Sequence, residues 1–350
     1  MQRRAFLTTV GAGAAATAGC LGGFRGDSGG GTVTVATYES FVDGNDPVGP
    51  WLKDAFESAH GGDVTVEFEV PDSGVNQYIQ RADQGADIDA DLYVGLNVDE
   101  LIRIDETLDD ALFDVPTAEL SRQDRILDEL KFDPDGRALP YDTGYISLVY
   151  DESEAEPQTF ADLTADRNRG DLIVQNAQQS DPGRAFLLWT ITQFGEDGYL
   201  DYWSDLQDND VRVLGSWSDA YNAYLSEEAP MVVSYSTDQV FASQDTDDLT
   251  RHQIGFLNDQ GYANPEGMAR FANTDSPDLA ADLMEFMLTP EAQGQIAMKN
   301  VQFPAVDDAE LDPEFEQYAH VPPEPVTFAY DELAGNLEGW IEDWARQVAQ

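Results

Sequence analysis

Thr32-Val-Thr-Val-Ala-Thr37, Pro50-Trp-Leu-Lys-Asp-Ala-Phe-Glu-Ser-Ala-His60, Val64-Thr-Val-Glu-Phe-Glu-Val70, Val75-Asn-Gln-Tyr-Ile-Gln-Arg-Ala-Asp-Gln-Gly85 and Asp91-Leu-Tyr-Val-Gly95 together set the fold class. The first, third and fifth segments carry the short, β-branched pattern of strands. The second and fourth carry apolar residues at helical spacing. Strand and helix alternating in this way build a parallel sheet flanked by helices. Beyond this lobe, Tyr145–Tyr150, Asp171–Val174, Val211–Leu214 and Met231–Tyr235 read as strands. Gly183–Phe194 reads as a mostly apolar helix, and Ser218 as the cap of a helix running to Leu225. Ser276-Pro277 and Thr289-Pro290 each place a capping residue before a proline at the first helical position, so Asp278–Leu288 and Glu291–Met298 read as consecutive helices. A chain of 350 residues is longer than one core usually serves, so two α/β lobes are expected.

The N-terminus reads as an address. Arg3-Arg4 precedes a run of small and apolar residues that ends in Thr17-Ala18-Gly19-Cys20, and Cys20 is the single cysteine of the chain. This resembles a twin-arginine export signal closed by a lipobox, with the mature protein starting at a lipid-bearing Cys20. The apolar run is shorter than the ~20 residues that span a bilayer. A glycine-rich tether follows to Gly31. With one cysteine, a structural disulfide, a CxxC pair and a thiolate zinc site are excluded. His60, His252 and His320 are scattered, so no metal site is expected.

Against 18 basic residues stand 68 acidic ones, a formal net charge of −50. The acids are dispersed among 42% hydrophobic and 11% aromatic residues, which indicates a folded acidic body rather than a disordered tail. At molar salt the Debye length falls to ~3 Å and such a surface barely repels itself. The charge therefore points to a high-salt habitat, and it disfavours nucleic acid and anionic lipid as partners.

Ser276-Pro-Asp-Leu-Ala-Ala-Asp-Leu-Met-Glu-Phe-Met-Leu-Thr-Pro-Glu-Ala-Gln293 resembles the late helical region of extracellular solute-binding proteins. Four further segments narrow the likeness: Val35-Ala-Thr-Tyr-Glu-Ser-Phe41, Pro140-Tyr-Asp-Thr-Gly-Tyr145 with Val149-Tyr-Asp151, Gly215-Ser-Trp-Ser-Asp-Ala-Tyr221, and Val233-Ser-Tyr-Ser-Thr-Asp238. Together, from about Thr32 to the Trp340–Trp344 helix, they resemble the thiamine-binding proteins of thiamine ABC importers. The resemblance implies a type II periplasmic-binding-protein fold, with two α/β lobes around a ligand cleft and crossings near Ala138–Thr143 and Asp259–Gly267. The expected division is 1–19 signal, 20–31 tether, 32–139 plus 265–310 lobe 1, 140–264 lobe 2, and 311–350 a C-terminal segment and helix packing on the lobes. It also implies binding without chemistry, no cofactor, an ABC permease and ATPase as partners, a monomer, and a lipid-anchored place on the outer face of the cytoplasmic membrane. A polyamine or ferric iron is the alternative cargo, although the chain has no Tyr-Tyr pair for iron. The thiamine-degrading enzymes of similar fold require a cleft cysteine.

Carried over by position, the ligand-binding candidates are Tyr38, Asp72, Ser73, Gly74, Ser180, Asp181, Trp217, Tyr235, Ser236, Thr237 and Asp238. A flat aminopyrimidine and a charged thiazolium suit aromatic faces, which favours Tyr38, Trp217 and Tyr235. Asp72 or Ser73 would meet the pyrimidine amino group, though either residue could equally be a helix cap. Ser180-Asp181 opens a helix and would face the far end of the ligand. Asp181 and Asp238 would disfavour a phosphorylated ligand by charge repulsion. Phe241 and Val301 stand where relatives carry Tyr and Trp, so a thinner aromatic enclosure is expected.

Overall fold

The computed structural model describes residues 30–44, 46–116, 120–244 and 246–348; the signal, Cys20 and nearly all of the tether lie outside them. Eight strands carry the architecture: β1 Thr32–Ala36, β2 Thr65–Glu69, β3 Leu92–Leu96, β4 Ala138–Tyr150, β5 Leu172–Gln175, β6 Arg212–Leu214, β7 Met231–Tyr235 and β8 Gln260–Phe271. Their order across the sheet is β2-β1-β3-β8-β4-β7-β5-β6. Pairing is parallel within β2-β1-β3 and within β7-β5-β6, and antiparallel for β3-β8, β8-β4 and β4-β7. Each flank is thus a small parallel sheet of the kind that βα repeats generate, and two long antiparallel strands join the flanks. β8 pairs with β3 through Gly267–Arg270, and β4 pairs with β7 through Ile146–Tyr150. Both strands pass from one lobe to the other, which gives the two-lobe fold that the resemblance implies.

Successive strand residues point to opposite faces, and each face is covered by helices. Leu172 and Val174 join one hydrophobic cluster with Phe186 and Trp189, while Ile173 packs on the other side with Ala220 and Tyr224. In the first lobe Val33, Val35 and Val94 bury against Leu52 and Phe56 of the Val48–Ala59 helix and Phe286 of the Pro277–Met287 helix. Elements read from the sequence end within about two residues of those observed, apart from the Tyr145–Tyr150 strand, which begins at Ala138 as part of β4. One cap differs. Ser216, not Ser218, closes the start of the Trp217–Leu225 helix, its hydroxyl accepting from the Asp219 amide at 3.0 Å. Trp217 is therefore the first helical residue.

Several helices go beyond the sequence reading, the longest being two of ten residues: Val98–Thr107, which follows β3, and Tyr199–Asp208. The C-terminal Leu337–Val348 helix lies on Tyr199–Asp208, with Trp203 and Trp344 edge-to-face at 5.3 Å. Just before it, the Tyr330 hydroxyl donates to Asp105 of Val98–Thr107 at 2.7 Å. The C-terminal segment thus touches both lobes.

Candidate ligand-binding site

The site is built where the two crossing strands face one another. Asp142 of β4 stands directly opposite Glu266 of β8, beside a register shift at Glu266/Gly267. Around this pair runs a chain of polar side chains. The Asn300 amide donates to Asp142 Oδ2 at 2.7 Å, and Asn300 Oδ1 accepts from the Tyr38 hydroxyl at 3.0 Å. The Tyr38 and Tyr141 hydroxyl oxygens lie 3.1 Å apart, and Tyr141 donates to Glu266 Oε2 at 2.7 Å. Burial pushes the Glu266 carboxyl up to about 7, with the Tyr141 hydrogen bond opposing and the Asp181 charge adding. Burial and then the Glu266 charge hold Asp142 well above the usual carboxylate range, against the Asn300 hydrogen bond. The Tyr38 and Tyr235 hydroxyls are raised by burial first and by the same carboxylates second.

Two glycines let the aromatic rings lie close to the strands. A Cβ on Gly95, whose φ is +101°, would sit 2.5 Å from the Tyr38 ring, and one on Gly144 would sit 2.5 Å from the Tyr235 ring. Gly74, with φ +56°, faces the Tyr93 hydroxyl and Glu100. Asp72 and Ser73 are exposed in the turn that precedes the Asn76–Asp83 helix. Ser180 is buried at the cap of the Asp181–Phe194 helix. Asp181, 48% exposed, lies 3.3 Å from the Arg184 guanidinium. Arg184 also pairs with Asp99 of Val98–Thr107, and this buried ion pair joins the lobes. A cavity of ≈ 20 Å³, about one water in size, adjoins the pair beside Asn264 and Phe328.

Tyr38, Asp181 and Tyr235 therefore gather around the Asp142–Glu266 pair, while Gly74 borders Glu100, whose carboxyl is raised by burial and by the Asp181 charge. Trp217 is half-buried; its indole N–H donates to the Ser234 hydroxyl at 3.0 Å, and its ring stacks on Tyr221 at 4.9 Å and 13°. Asp238 is placed differently from the sequence reading. One of its oxygens accepts from the Tyr221 hydroxyl at 2.5 Å and the other meets His252 Nδ1 at 2.7 Å, so the carboxylate serves an internal network. Ser236 and Thr237 are buried in the turn after β7.

Several buried polar atoms here have no protein partner: Asp142 Oδ1, Ser236 Oγ and Gln302 Oε1. Orphaned polar atoms are costly in a packed interior and mark a place where a ligand or water completes the bonding. Among the described residues no group of three or more His, Cys, Asp or Glu is arranged to hold a metal ion. Tyr141, Asp142, Glu266 and Asn300 were missed as site residues. The signal that brackets the first three is the pair of crossing segments itself. The chemistry on offer is a set of aromatic faces beside carboxyls that pair with no cationic side chain among the described residues, suited to a flat, positively charged organic molecule that would take the place of their protons.

Two α/β lobes joined by two crossing strands, with aromatic and acidic side chains at the junction, are the architecture of a solute-binding protein. The chain belongs to the bacterial extracellular solute-binding protein family, which it matches over residues 51–323. It is 28% identical to the thiamine-binding periplasmic protein of Salmonella typhimurium over 326 residues, covering 91% of this chain and 94% of that one. It is likewise 28% identical to the thiamine-binding periplasmic protein of Haemophilus influenzae, over 89% of this chain and 91% of that one. Among solved structures it is similar to a periplasmic thiamin binding protein, with a TM-score of 0.78 and 26% identity over 91% of this chain and 96% of the other.

Proposed function

We propose that the protein captures thiamine outside the cell and delivers it to an ABC importer, by binding without chemistry. The observation that carries this reading is the meeting of Tyr38, Tyr235, Asp142 and Glu266 where β4 and β8 cross between the lobes, in a chain similar over nine-tenths of its length to thiamine-binding proteins. A delocalised cation over such a ring gains about 0.5–2 kcal/mol. Tyr38, Gly74, Asp181, Trp217 and Tyr235 would contact the ligand, with Asp72 and Ser73 at the cleft mouth and Ser180, Ser236 and Thr237 behind them. The lobes would divide as 32–139 plus 265–310 against 140–264. Free thiamine would bind more tightly than its phosphates, an expectation that rests on Asp181, since Asp238 is engaged with Tyr221 and His252.

Calorimetric titration with thiamine, thiamine monophosphate and spermidine tests the cargo. Saturable, 1:1 thiamine binding with quenching of tryptophan fluorescence, lost in Trp217→Ala, is the expected result. Spermidine binding in place of thiamine would overturn the assignment, and tighter binding of the monophosphate would overturn the phosphate preference. The N-terminal pattern and the acidic surface support a lipid-anchored, twin-arginine-exported monomer from a high-salt habitat. Cys20→Ser should release the protein from the membrane, and the midpoint of urea unfolding should rise with KCl from dilute buffer to molar salt.

A further inference from the structure

Residues two apart on a strand share a face, so Asn264 and Glu266 of β8 project alongside Asp142 and Gly144 of β4. The Tyr235 ring lies over Gly144 on that face. Asp142 is fully buried with Oδ1 unpartnered, and Gln302, itself buried, leaves Oε1 unpartnered at 2.7 Å from where a Gly144 Cβ would stand. Two carboxylates directly opposite each other on paired strands repel. Proteins usually neutralise such a pair with Lys or Arg, but among the described residues no cation pairs with either one. The cations near the cleft are committed: Arg184 to Asp99 and Asp181, and Lys299 to Asp46. The negative fields of Asp142, Glu266 and Asp181 all reach the Tyr235 hydroxyl. An acidic pair beneath an aromatic ring, with Asp142 fully buried and Glu266 half-buried, is a site that lacks one positive charge.

We propose that Asp142 and Glu266 are the counter-charge for the azolium ring of the ligand and set the preference for a cation over a neutral molecule of the same shape. This deepens the thiamine reading and rests on it. The pair lies on the strands that cross between the lobes, so a cation held there engages the junction itself, and a ligand covering Glu266 would take the pair's remaining exposed member out of water. Removing water strengthens the attraction and raises the cost of leaving the pair unneutralised. A neutral ring would fill the same space and leave two facing carboxyls without a partner. Tyr38 and Asn300 act as positioning residues, since they hold the Asp142 side of the pair.

The test compares thiamine with 3-deazathiamine, whose neutral thiophene has the shape of the thiazolium, in the wild type, Glu266→Gln and Asp142→Asn. Wild type should prefer thiamine by about ten- to a hundredfold, the range of one charge interaction in a partly desolvated site. Each variant should lose most of that preference while holding 3-deazathiamine as tightly as before or more tightly, which also certifies its fold. Equal affinity of the wild type for the two ligands would overturn the proposal without recourse to any variant. So would variants that keep the preference or lose both ligands in equal measure. If wild type binds neither ligand, the thiamine reading itself falls and takes the proposal with it.

Discussion

Asp99→Asn tests whether the pair that joins the lobes holds the closed state. In the native protein the Asp99 and Arg184 side chains are 7% and 9% exposed and form an ion pair between the Val98–Thr107 and Asp181–Phe194 helices. Removing one member of a buried pair costs about 3–5 kcal/mol when the other charge stays buried and alone. Arg184 would keep Asp181 at 3.3 Å, and opening of the lobes would let water reach the guanidinium, whose Nε already has no protein partner. The penalty therefore falls on the closed state, at about 2 kcal/mol, or roughly thirtyfold in the open-to-closed ratio at 1.4 kcal/mol per tenfold. Small-angle scattering with and without thiamine, paired with calorimetry, reads both sides of that equilibrium. We expect a larger unliganded particle and a thiamine Kd weakened by up to that factor. Unchanged scattering and a Kd within twofold of wild type would refute the reasoning.

Glu266 links stability to pH. Its folded-state pKa, about 7, lies above the ordinary 4.5, so the folded protein binds the extra proton and this group's contribution is fully present below about pH 4.5 and lost as pH rises through 7. Discounted for partial exposure, the loss is about 2 kcal/mol by pH 8, at ~1.4 kcal/mol per pH unit. Urea unfolding of unliganded Glu266→Gln in molar salt should show a gain over wild type that grows from pH 5 to pH 8; parallel pH profiles would contradict it. Asp238→Asn should lower stability by about 1–3 kcal/mol through the Tyr221 and His252 bonds, and calorimetry should find thiamine affinity within a few-fold of wild type. A large affinity loss at unchanged stability would instead put Asp238 against the ligand. In Gly144→Ala the new Cβ would meet the Tyr235 ring and Gln302 at 2.5 and 2.7 Å, costing about 1–3 kcal/mol and displacing the ring. Thiamine binding should weaken at least about tenfold, and an unaffected Kd would show that Tyr235 takes no part.

Local pattern carried much of this protein. The βα repeats of residues 32–95 and the proline-marked caps at Ser276 and Thr289 are decided by neighbouring side chains, and they fold as they read. Where two caps compete, two residues of register separate them. Ser216 and Ser218 are equally plausible donors of a cap, and the fit of Trp217 over Tyr221 accompanies the choice of Ser216. Tyr235 ends β7 and Tyr38 follows β1 by two residues, and it is this placement at strand ends that singles them out as candidates in the sequence.

The sequence by itself determined two α/β lobes, an acidic body and aromatic residues at the ends of strands, since these follow from composition and from periods of a few residues. Only the tertiary structure decided that Asp142 faces Glu266, that Asn300 reaches both Asp142 and Tyr38, and that Asp238 turns toward Tyr221 and His252. Tyr141 and Glu266 are 125 positions apart in the chain, and Asn300 and Tyr38 are 262 apart. No local propensity reports contacts of that range. They arise only when distant elements pack together, and the register of β4 on β8 brings two carboxyls together with no cation among the described residues paired to either.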